Sequence, residues 1–362
     1  MRPTVAIVGV GLIGGSLGLA WRNAGAAKVI GVTRRRQNLD VALSCGAIDE
    51  GTTDVAQGVA AADVVVLCTP VVDIVALARS IVAYVRPGTL LTDVGSTKAW
   101  IMREISSFLP GSLSFVGGHP MAGSEHTGVE AADPYLFENA IYCLTPSAGM
   151  AASDSSMRLL QDLVRATGAR PLLLTPDVHD LIVAGISHVP HLVAAALVNS
   201  VAATDTGDMP MLRLAAGGFR DTTRIASGSS ELWRDICLTN GPAISEMLDA
   251  FEGALVQMRQ AVEQAHGEAL CRLLETARTA RLTMPAHSAV HELVVTLVDR
   301  PGAIHAVTGL VAAADLNVVD IGILRAREGE GGTMRLALHS DEAANRAVEL
   351  LRENGYIVRR RT

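Results

Sequence analysis

Val5-Ala6-Ile7-Val8-Gly9-Val10-Gly11-Leu12-Ile13-Gly14 carries a short apolar run straight into a GxGxxG pattern. Four small hydrophobic residues followed by this spacing predict a strand, a tight turn and a helix opening at Leu12. The first glycine permits the turn, the second lets a pyrophosphate approach the backbone, and the third lets helix and strand pack closely. Unpaired N–H groups at the helix start add a positive dipole end to the same spot. Gly9, Gly11, Leu12, Ile13 and Gly14 are therefore candidate dinucleotide-binding residues. Thr69 and Pro70, just past the next central strand, join them.

Outward from this stretch the first half alternates β-rich runs with helical ones, which indicates a parallel sheet. Candidate strands are Val5–Val8, Val29–Val32, Val64–Cys68, Thr89–Asp93, Ser114–Val116, Ile141–Leu144 and Pro171–Leu174. Ser16–Ala24, Asp73–Val85 and Ser153–Thr167 read as helices between them. The expected fold is an α/β Rossmann-type doubly wound domain over residues 1–175, followed by an all-helical substrate and dimerisation domain over residues 176–283. Within the latter, Ala243–Glu275 shows helical periodicity with few Pro or Gly breaks, and the domain's apolar density suits helices buried against each other or a second subunit. Residues 290–362 read as βαββαβ, a ferredoxin-like unit. Its predicted elements are strand His291–Val298, a helix to about Ala314, strand Leu316–Ala326, a hairpin at Glu328–Gly332, strand Thr333–His339, helix Asp341–Asn354 and strand Tyr356–Arg360.

At 362 residues, two or three domains are expected. A net charge of −7 without a basic run argues against a nucleic-acid surface. No charged leader precedes the first strand, so no signal peptide is expected. No uninterrupted apolar run approaches the roughly 20 residues of a membrane helix. Cys45, Cys68, Cys143, Cys237 and Cys271 are scattered without a CxxC pair. They read as reduced thiols of a cytoplasmic protein.

The end of the second strand bears on cofactor choice. An NAD site usually places a carboxylate there for the ribose 2′-hydroxyl. Here Thr33-Arg34-Arg35-Arg36 stands instead. A hydroxyl and guanidinium groups suit a 2′-phosphate, so Thr33, Arg34 and Arg35 favour NADP, with NAD the alternative.

Two segments place polar residues at strand ends on the cofactor side: Thr92-Asp93-Val94-Gly95-Ser96-Thr97-Lys98, and Gly117-Gly118-His119-Pro120-Met121-Ala122-Gly123-Ser124-Glu125. A histidine there can take a proton from a hydroxyl being oxidised. His119 and Ser96 are the catalytic candidates. The helical region adds His179-Asp180, Ser187-His188-Val189-Pro190-His191, Arg220-Asp221-Thr222-Thr223-Arg224 and Trp233-Arg234-Asp235. His188 and His191 at helical spacing have no HExxH pattern or third ligand beside them, so no metal is expected. Arg224 is the candidate anchor for a substrate carboxylate, with Asp221 one turn away to pair with it and orient it.

Together these blocks resemble the prephenate/arogenate dehydrogenase family of tyrosine biosynthesis: GxGxxGGSLG at 9–18, DVGSTK at 93–98, GHPMAGSE at 118–125, HD at 179–180, SHxPH at 187–191 and RDTTRIA…WRDI at 220–236. The resemblance implies that His119 accepts the proton of the ring 4-hydroxyl. Ser96 would bond that hydroxyl and help orient His119. Arg224 would hold a carboxylate, and His188, His191, Ser124 and Trp233 would complete the pocket for a small-molecule substrate. Prephenate is the expected substrate and arogenate the alternative. The C-terminal unit resembles an ACT domain, with Pro301, Gly302 and Ala303 opening a helix and Asn317 where a partner subunit closes the site. This implies a homodimer and L-tyrosine as an effector, or a module that only dimerises.

Two rivals differ in class. A β-hydroxyacid dehydrogenase shares the domain order but uses an interdomain lysine, and no lysine lies between Leu181 and Ala280. A non-catalytic NADP-binding redox regulator would not need His119, Ser96 and Arg224 together.

Overall fold

The computed structural model describes residues 2–123, 126–206, 208–283, 291–298, 300–324 and 332–360. Two compact units form, Met1–Gly253 and Ala254–Thr362.

In the first unit eight strands build one sheet: β1 (Thr4–Val8), β2 (Lys28–Val32), β3 (Glu50–Thr52), β4 (Val64–Leu67), β5 (Leu90–Asp93), β6 (Ser114–Pro120), β7 (Ile141–Pro146) and β8 (Arg170–Leu173). Their order is β3-β2-β1-β4-β5-β6-β7-β8. All neighbours are parallel except β6 and β7. Helices α1 (Leu12–Asn23), α2 (Arg36–Ser44), α3 (Val55–Val59), α4 (Val71–Ile81), α5 (Ala99–Ser106) and α6 (Ser155–Arg165) alternate with the strands. They cover both faces, giving two aliphatic cores, one around Ile7, Leu17 and Trp21 and one around Leu67, Ile74 and Ile101. Strands buried on both faces need continuous apolar runs, as Val64–Leu67 supplies. The small edge strand β3 and helix α2 were not anticipated, because Glu50-Gly51-Thr52 has no apolar pattern to betray it.

One difference bears directly on the site. Ser114–Val116 was expected to end before His119, but β6 runs on to Pro120. Its pairing with β5 stops at Val116. Beyond that it is held by β7 alone, with His119 opposite Cys143. This strand end therefore carries His119 past the edge of β5.

The rest of the first unit is helical: α7 (Pro176–Val183), a π-helical turn (Ala184–His188), α8 (Val189–Thr204), α9 (Gly217–Thr223), a 3₁₀ turn (Arg224–Ser227), α10 (Ser230–Thr239) and the start of α11 (Gly241–Glu263). Pro190 has no N–H to donate one turn back, and the wider π turn absorbs that break so the helix continues. Pro176–Thr204 thus spans 29 residues with mean hydropathy 2.0 in its most apolar stretch, a helix long and apolar enough by length and composition to cross a membrane. It is not an uninterrupted apolar run. It is interrupted by His179, Asp180, His188 and His191, all of them buried.

The helical periodicity over Ala243–Glu275 forms two helices, α11 and α12 (Gly267–Leu282). Ala265 takes a left-handed conformation with φ of 49°, which ends the first helix. Further on, β9 (His291–Leu297), α13 (Ala303–Ala313), β10 (Val318–Leu324), β11 (Gly332–Leu338), α14 (Asp341–Glu353) and β12 (Val358–Arg360) form a small antiparallel sheet in the order β10-β11-β9-β12. Leu293, Val307, Leu336 and Leu351 are among its core residues. Most of the hairpin at 328–332, and the segment 284–290, lie outside the described residues.

Candidate active site

The glycine loop has the geometry its sequence requires. Gly9 has φ of 101°, and a Cβ there would stand 2.5 Å from the Cys68 carbonyl oxygen. A Cβ on Gly14 would meet the Gly9 oxygen at 2.4 Å. Gly11 differs: nothing lies within 4 Å of its Cβ position, so it faces open space. No side chain caps α1, which leaves its first-turn N–H groups to the cavity bordered by Gly11, Leu12 and Ile13. That cavity, about 410 Å³, is also lined by Thr69, Pro70, Ser96 and His119. The Thr69 hydroxyl is buried without a hydrogen-bond partner. An open glycine, uncapped N–H groups and an orphaned hydroxyl in one cleft fit a dinucleotide's phosphates.

At the end of β2, the Thr33 hydroxyl donates to the Arg35 oxygen (3.0 Å) and accepts from the Arg35 N–H (3.1 Å). Thr33 therefore shapes the turn, and its proton is already committed. Arg36 pairs with Asp40 at 3.4 Å. Arg34 and Arg35 are exposed, and neither forms an ion pair with a described residue.

His119 is held by residues distant in sequence. Its Nδ1 lies 2.9 Å from His179 Nε2. His179 Nδ1 lies 2.8 Å from Asp180 Oδ1. The Asp180 carboxylate also accepts the backbone N–H groups of Lys98 (2.7 Å) and Ala99 (2.8 Å), closing the N-terminus of α5. The side chain of Lys98 turns inward to Asp93 and to the Gly118 carbonyl, and both charged groups of the pair are fully buried. Asp93 accepts in addition from Gly95 N–H (2.8 Å) and Gly118 N–H (3.1 Å). The ion pair thus ties the Ser96 loop to the strand that carries His119. Thr97 fastens the same loop to α10 through Thr239, at 3.0 Å.

Burial, reinforced by the neighbouring His179, Lys98 and His188, holds the His119 imidazole well below the usual histidine range. It is neutral near pH 7, the form a proton acceptor needs.

Asn240 joins a second group to this one. Its amide donates to the Asp180 carbonyl (2.9 Å) and reaches His188 Nδ1 (3.1 Å). Since the amide nitrogen is the donor, His188 Nδ1 accepts and its proton sits on Nε2. Burial lowers His188 to about 4, with the Asp180 carboxylate opposing. Trp233 stands edge-on to His188 and stacks on His191 at 3.6 Å between ring centroids. His191 Nδ1 is buried without a partner. Gly228 makes room for this stack, since a Cβ there would press on the Trp233 indole nitrogen at 2.8 Å.

The expected residues therefore fall into three sets. Gly11, Leu12, Ile13, Thr69, Pro70, Ser96 and His119 share one cavity. His188, His191 and Trp233 form an adjoining ring cluster. Arg224 and Asp221 are exposed and do not line that cavity, and Asp221 makes no ion pair with Arg224. Ser124 lies outside the described residues. The Ser96 hydroxyl makes no hydrogen bond to His119, so the residue that orients His119 is His179. Asp180 closing α5 is what carries that ring over the strand. Lys98, Asp93 and Asn240 were also missed as site residues. The His179-Asp180 doublet was visible in the sequence, but its partner lies 60 residues away.

In the second unit, Pro301, Gly302 and Ala303 line an open cavity with Arg300, His305 and Thr308. Gly302 has φ of 85° at the start of α13. Asn317 is exposed and does not line this cavity.

A glycine-loop nucleotide domain, joined to helices that deliver imidazoles to the cofactor cleft, defines a nicotinamide-dependent dehydrogenase. Family models agree: residues 17–173 match the prephenate dehydrogenase nucleotide-binding domain and residues 175–276 its dimerization domain. A prephenate dehydrogenase of Bacillus subtilis is 37% identical over 97% of this chain and 96% of its own length. The crystal structure of prephenate dehydrogenase from A. aeolicus with hydroxyphenyl propionate and NAD+ aligns with TM-score 0.72 and 31% identity, covering 78% of this chain and 98% of that one. A Synechocystis arogenate dehydrogenase aligns with TM-score 0.69 and 33% identity over 77% of this chain and 98% of its own. The chain belongs to the prephenate dehydrogenase family.

Proposed function

We propose that this protein oxidises and decarboxylates prephenate to 4-hydroxyphenylpyruvate, using NADP+ in preference to NAD+. The observation that carries the reading is the neutral His119 imidazole, fixed at 2.9 Å by His179 in the cavity that the glycine loop borders. Bound cofactor supplies the hydride acceptor. Gly9, Gly11, Gly14 and the first turn of α1 would hold its pyrophosphate, with Thr69 and Pro70 beside it. Arg34 and Arg35, exposed and not ion-paired, would take a 2′-phosphate.

His119 Nε2 would accept the proton of the ring hydroxyl, and Ser96, in the same cavity, would bond that oxygen. Loss of the ring carboxylate creates an aromatic ring, so the catalytic demand is orientation plus a positioned base. The orphaned His191 nitrogen, the His188 Nε2–H and the Trp233 face offer the substrate polar and flat surfaces. Arg224, with Asp221 a turn away, and Ser124 would reach its side-chain end.

Arogenate is the second substrate, since it differs only in an amino for a keto group and a family relative is an arogenate dehydrogenase. The βαββαβ order of residues 290–362 supports an ACT-like regulatory module. The N-terminus of α13 at Pro301–Ala303 would receive an amino-acid carboxylate, and L-tyrosine is its proposed effector. Asn317 would act there from a partner subunit. The family's dimerization model over residues 175–276, together with exposed Ile186, Leu255 and Val262, supports a cytoplasmic homodimer.

The test is reduction of NADP+ and NAD+ by prephenate and by arogenate in parallel. Prephenate with NADP+ should be fastest. Failure of both acids with both cofactors would overturn the assignment.

A further inference from the structure

We propose that His179 and Asp180 form a proton-holding relay behind His119, with Asp180 acting as a positioning residue through His179. The inference rests on His119 being the base of the proposed dehydrogenase. Its geometry is a linear chain: His119 Nδ1 to His179 Nε2 at 2.9 Å, then His179 Nδ1 to Asp180 Oδ1 at 2.8 Å.

The protons on this chain are determined from its far end. Asp180 accepts from two backbone N–H groups, those of Lys98 and Ala99, and sits at the start of α5. With two backbone donors on it at a helix N-terminus, the carboxylate serves as an acceptor. It is then an acceptor only, so His179 must carry a proton on Nδ1. With its proton placed on Nδ1, His179 presents a lone pair at Nε2, and His119 donates to it from Nδ1. That leaves His119 Nε2 bare, the state in which it can take a proton. Without Asp180, either ring could reverse and His119 would present an N–H in place of a lone pair.

The same chain accommodates the proton once taken. The hydroxyl O–H bond breaks as N–H forms at His119 Nε2, and the adjacent carbon gives up its hydride to NADP+ or NAD+. The His119 Nδ1 proton passes to His179 Nε2, and the positive charge comes to rest beside Asp180. Prephenate oxidation releases carbon dioxide and no net proton, so the proton must be kept and returned to the phenolate oxygen. The transfers then run in reverse. Burial, His179, Lys98 and His188 all disfavour a charge retained on His119 itself, while Asp93 is already neutralised by Lys98. The carboxylate that this relay reaches is Asp180, through His179.

The experiment uses the full-length protein labelled with ¹⁵N-histidine. Long-range ¹H–¹⁵N spectra near pH 7.5 should show both His119 and His179 protonated on Nδ1, and an Nε2-protonated His119 would overturn the proposal. This readout needs no substrate, so it decides the relay even if the dehydrogenase reading fails. Two variants separate positioning from proton holding. His179→Gln can accept from His119 but cannot take its proton. It should keep the His119 tautomer and change the solvent-isotope proton inventory from bowed to linear. Asp180→Asn should lower kcat by roughly 10²-fold, less than the ~10⁴ seen when a carboxylate touches the catalytic imidazole directly. It should leave both KM values within about 3-fold, and the acid limb of kcat/KM should move to lower pH. A bowed inventory retained in His179→Gln, or an unmoved acid limb in Asp180→Asn, would refute the relay.

Discussion

Lys98→Met removes the cation from the buried pair beneath the active site. Both charged groups are fully enclosed, and Asp93 would keep only the N–H groups of Gly95 and Gly118. The Gly118 carbonyl would also lose its Lys98 donor. Opposite charges in contact attract by roughly 5 kcal/mol at an effective dielectric of about 20. Removing one partner of a buried pair costs about 3–5 kcal/mol, because the remaining charge stays in the interior. For a domain of this size, thermal midpoints fall by about 2–4 °C per kcal/mol, so the variant should melt on the order of 10 °C lower. Scanning calorimetry of the full chain measures this. The double variant Lys98→Met/Asp93→Asn has no bare charge and should recover at least about 1 kcal/mol of the loss. A single variant within about 2 °C of the parent, or a double variant less stable than the single, would show that the pair does not anchor this strand end.

Four further outcomes are expected. His119→Asn should lower kcat by roughly two to four orders of magnitude with KM little changed, read by cofactor reduction, and an unchanged kcat removes His119 as the base. Arg34→Ala should raise KM for NADP+ by at least about 10-fold and leave NAD+ untouched, since only the former carries the phosphate; equal effects would sink the phosphate reading. Arg224→Ala should raise KM for the substrate by roughly 10²-fold with kcat largely kept, as loss of a charge-assisted pair does, and an unaltered KM moves the carboxylate anchor elsewhere. Acid should weaken the fold through His188. Its folded value of about 4 lies below the unfolded 6.5, so the unfolded chain takes up a proton first as pH falls. Stability is then lost between those values, about 3 kcal/mol by pH 4, and denaturant midpoints of His188→Gln should fall less steeply over that range.

Much of the first unit could be read from sequence because local signals decide it. Val5–Gly14 names its own strand, turn and helix, and Gly9 and Gly14 leave no room for a Cβ while Gly11 faces open space. Apolar runs such as Val64–Leu67 mark central strands that are buried on both faces. What escaped was set by pairing rather than composition. β3 is three residues without apolar pattern, and β6 outlasts Val116 only because β7 takes over its pairing. The exposure of Asp221, away from Arg224, was likewise invisible in a one-turn spacing.

The site divides along the same line. His119, Ser96 and the glycines stand out because each lies at or beyond a strand end on the cofactor side, a position that sequence order alone locates. The residues that set the state of His119 come from elsewhere. The His179-Asp180 doublet stood out in the sequence, but not its contacts, because these depend on α7 reaching the N-terminus of α5, with donors 81 and 82 residues away. The π turn before Pro190 lets one continuous helix carry His179, Asp180, His188 and His191. Such a turn inserts an extra residue and rotates the succeeding residues by about 100°. His188 thereby meets Asn240 while His191 stacks on Trp233. A helix that ended at Pro190, as local propensity favours, would leave the imidazole cluster without its second half. The π turn is thus the element that places His179 and Asp180 on one helix with His188 and His191.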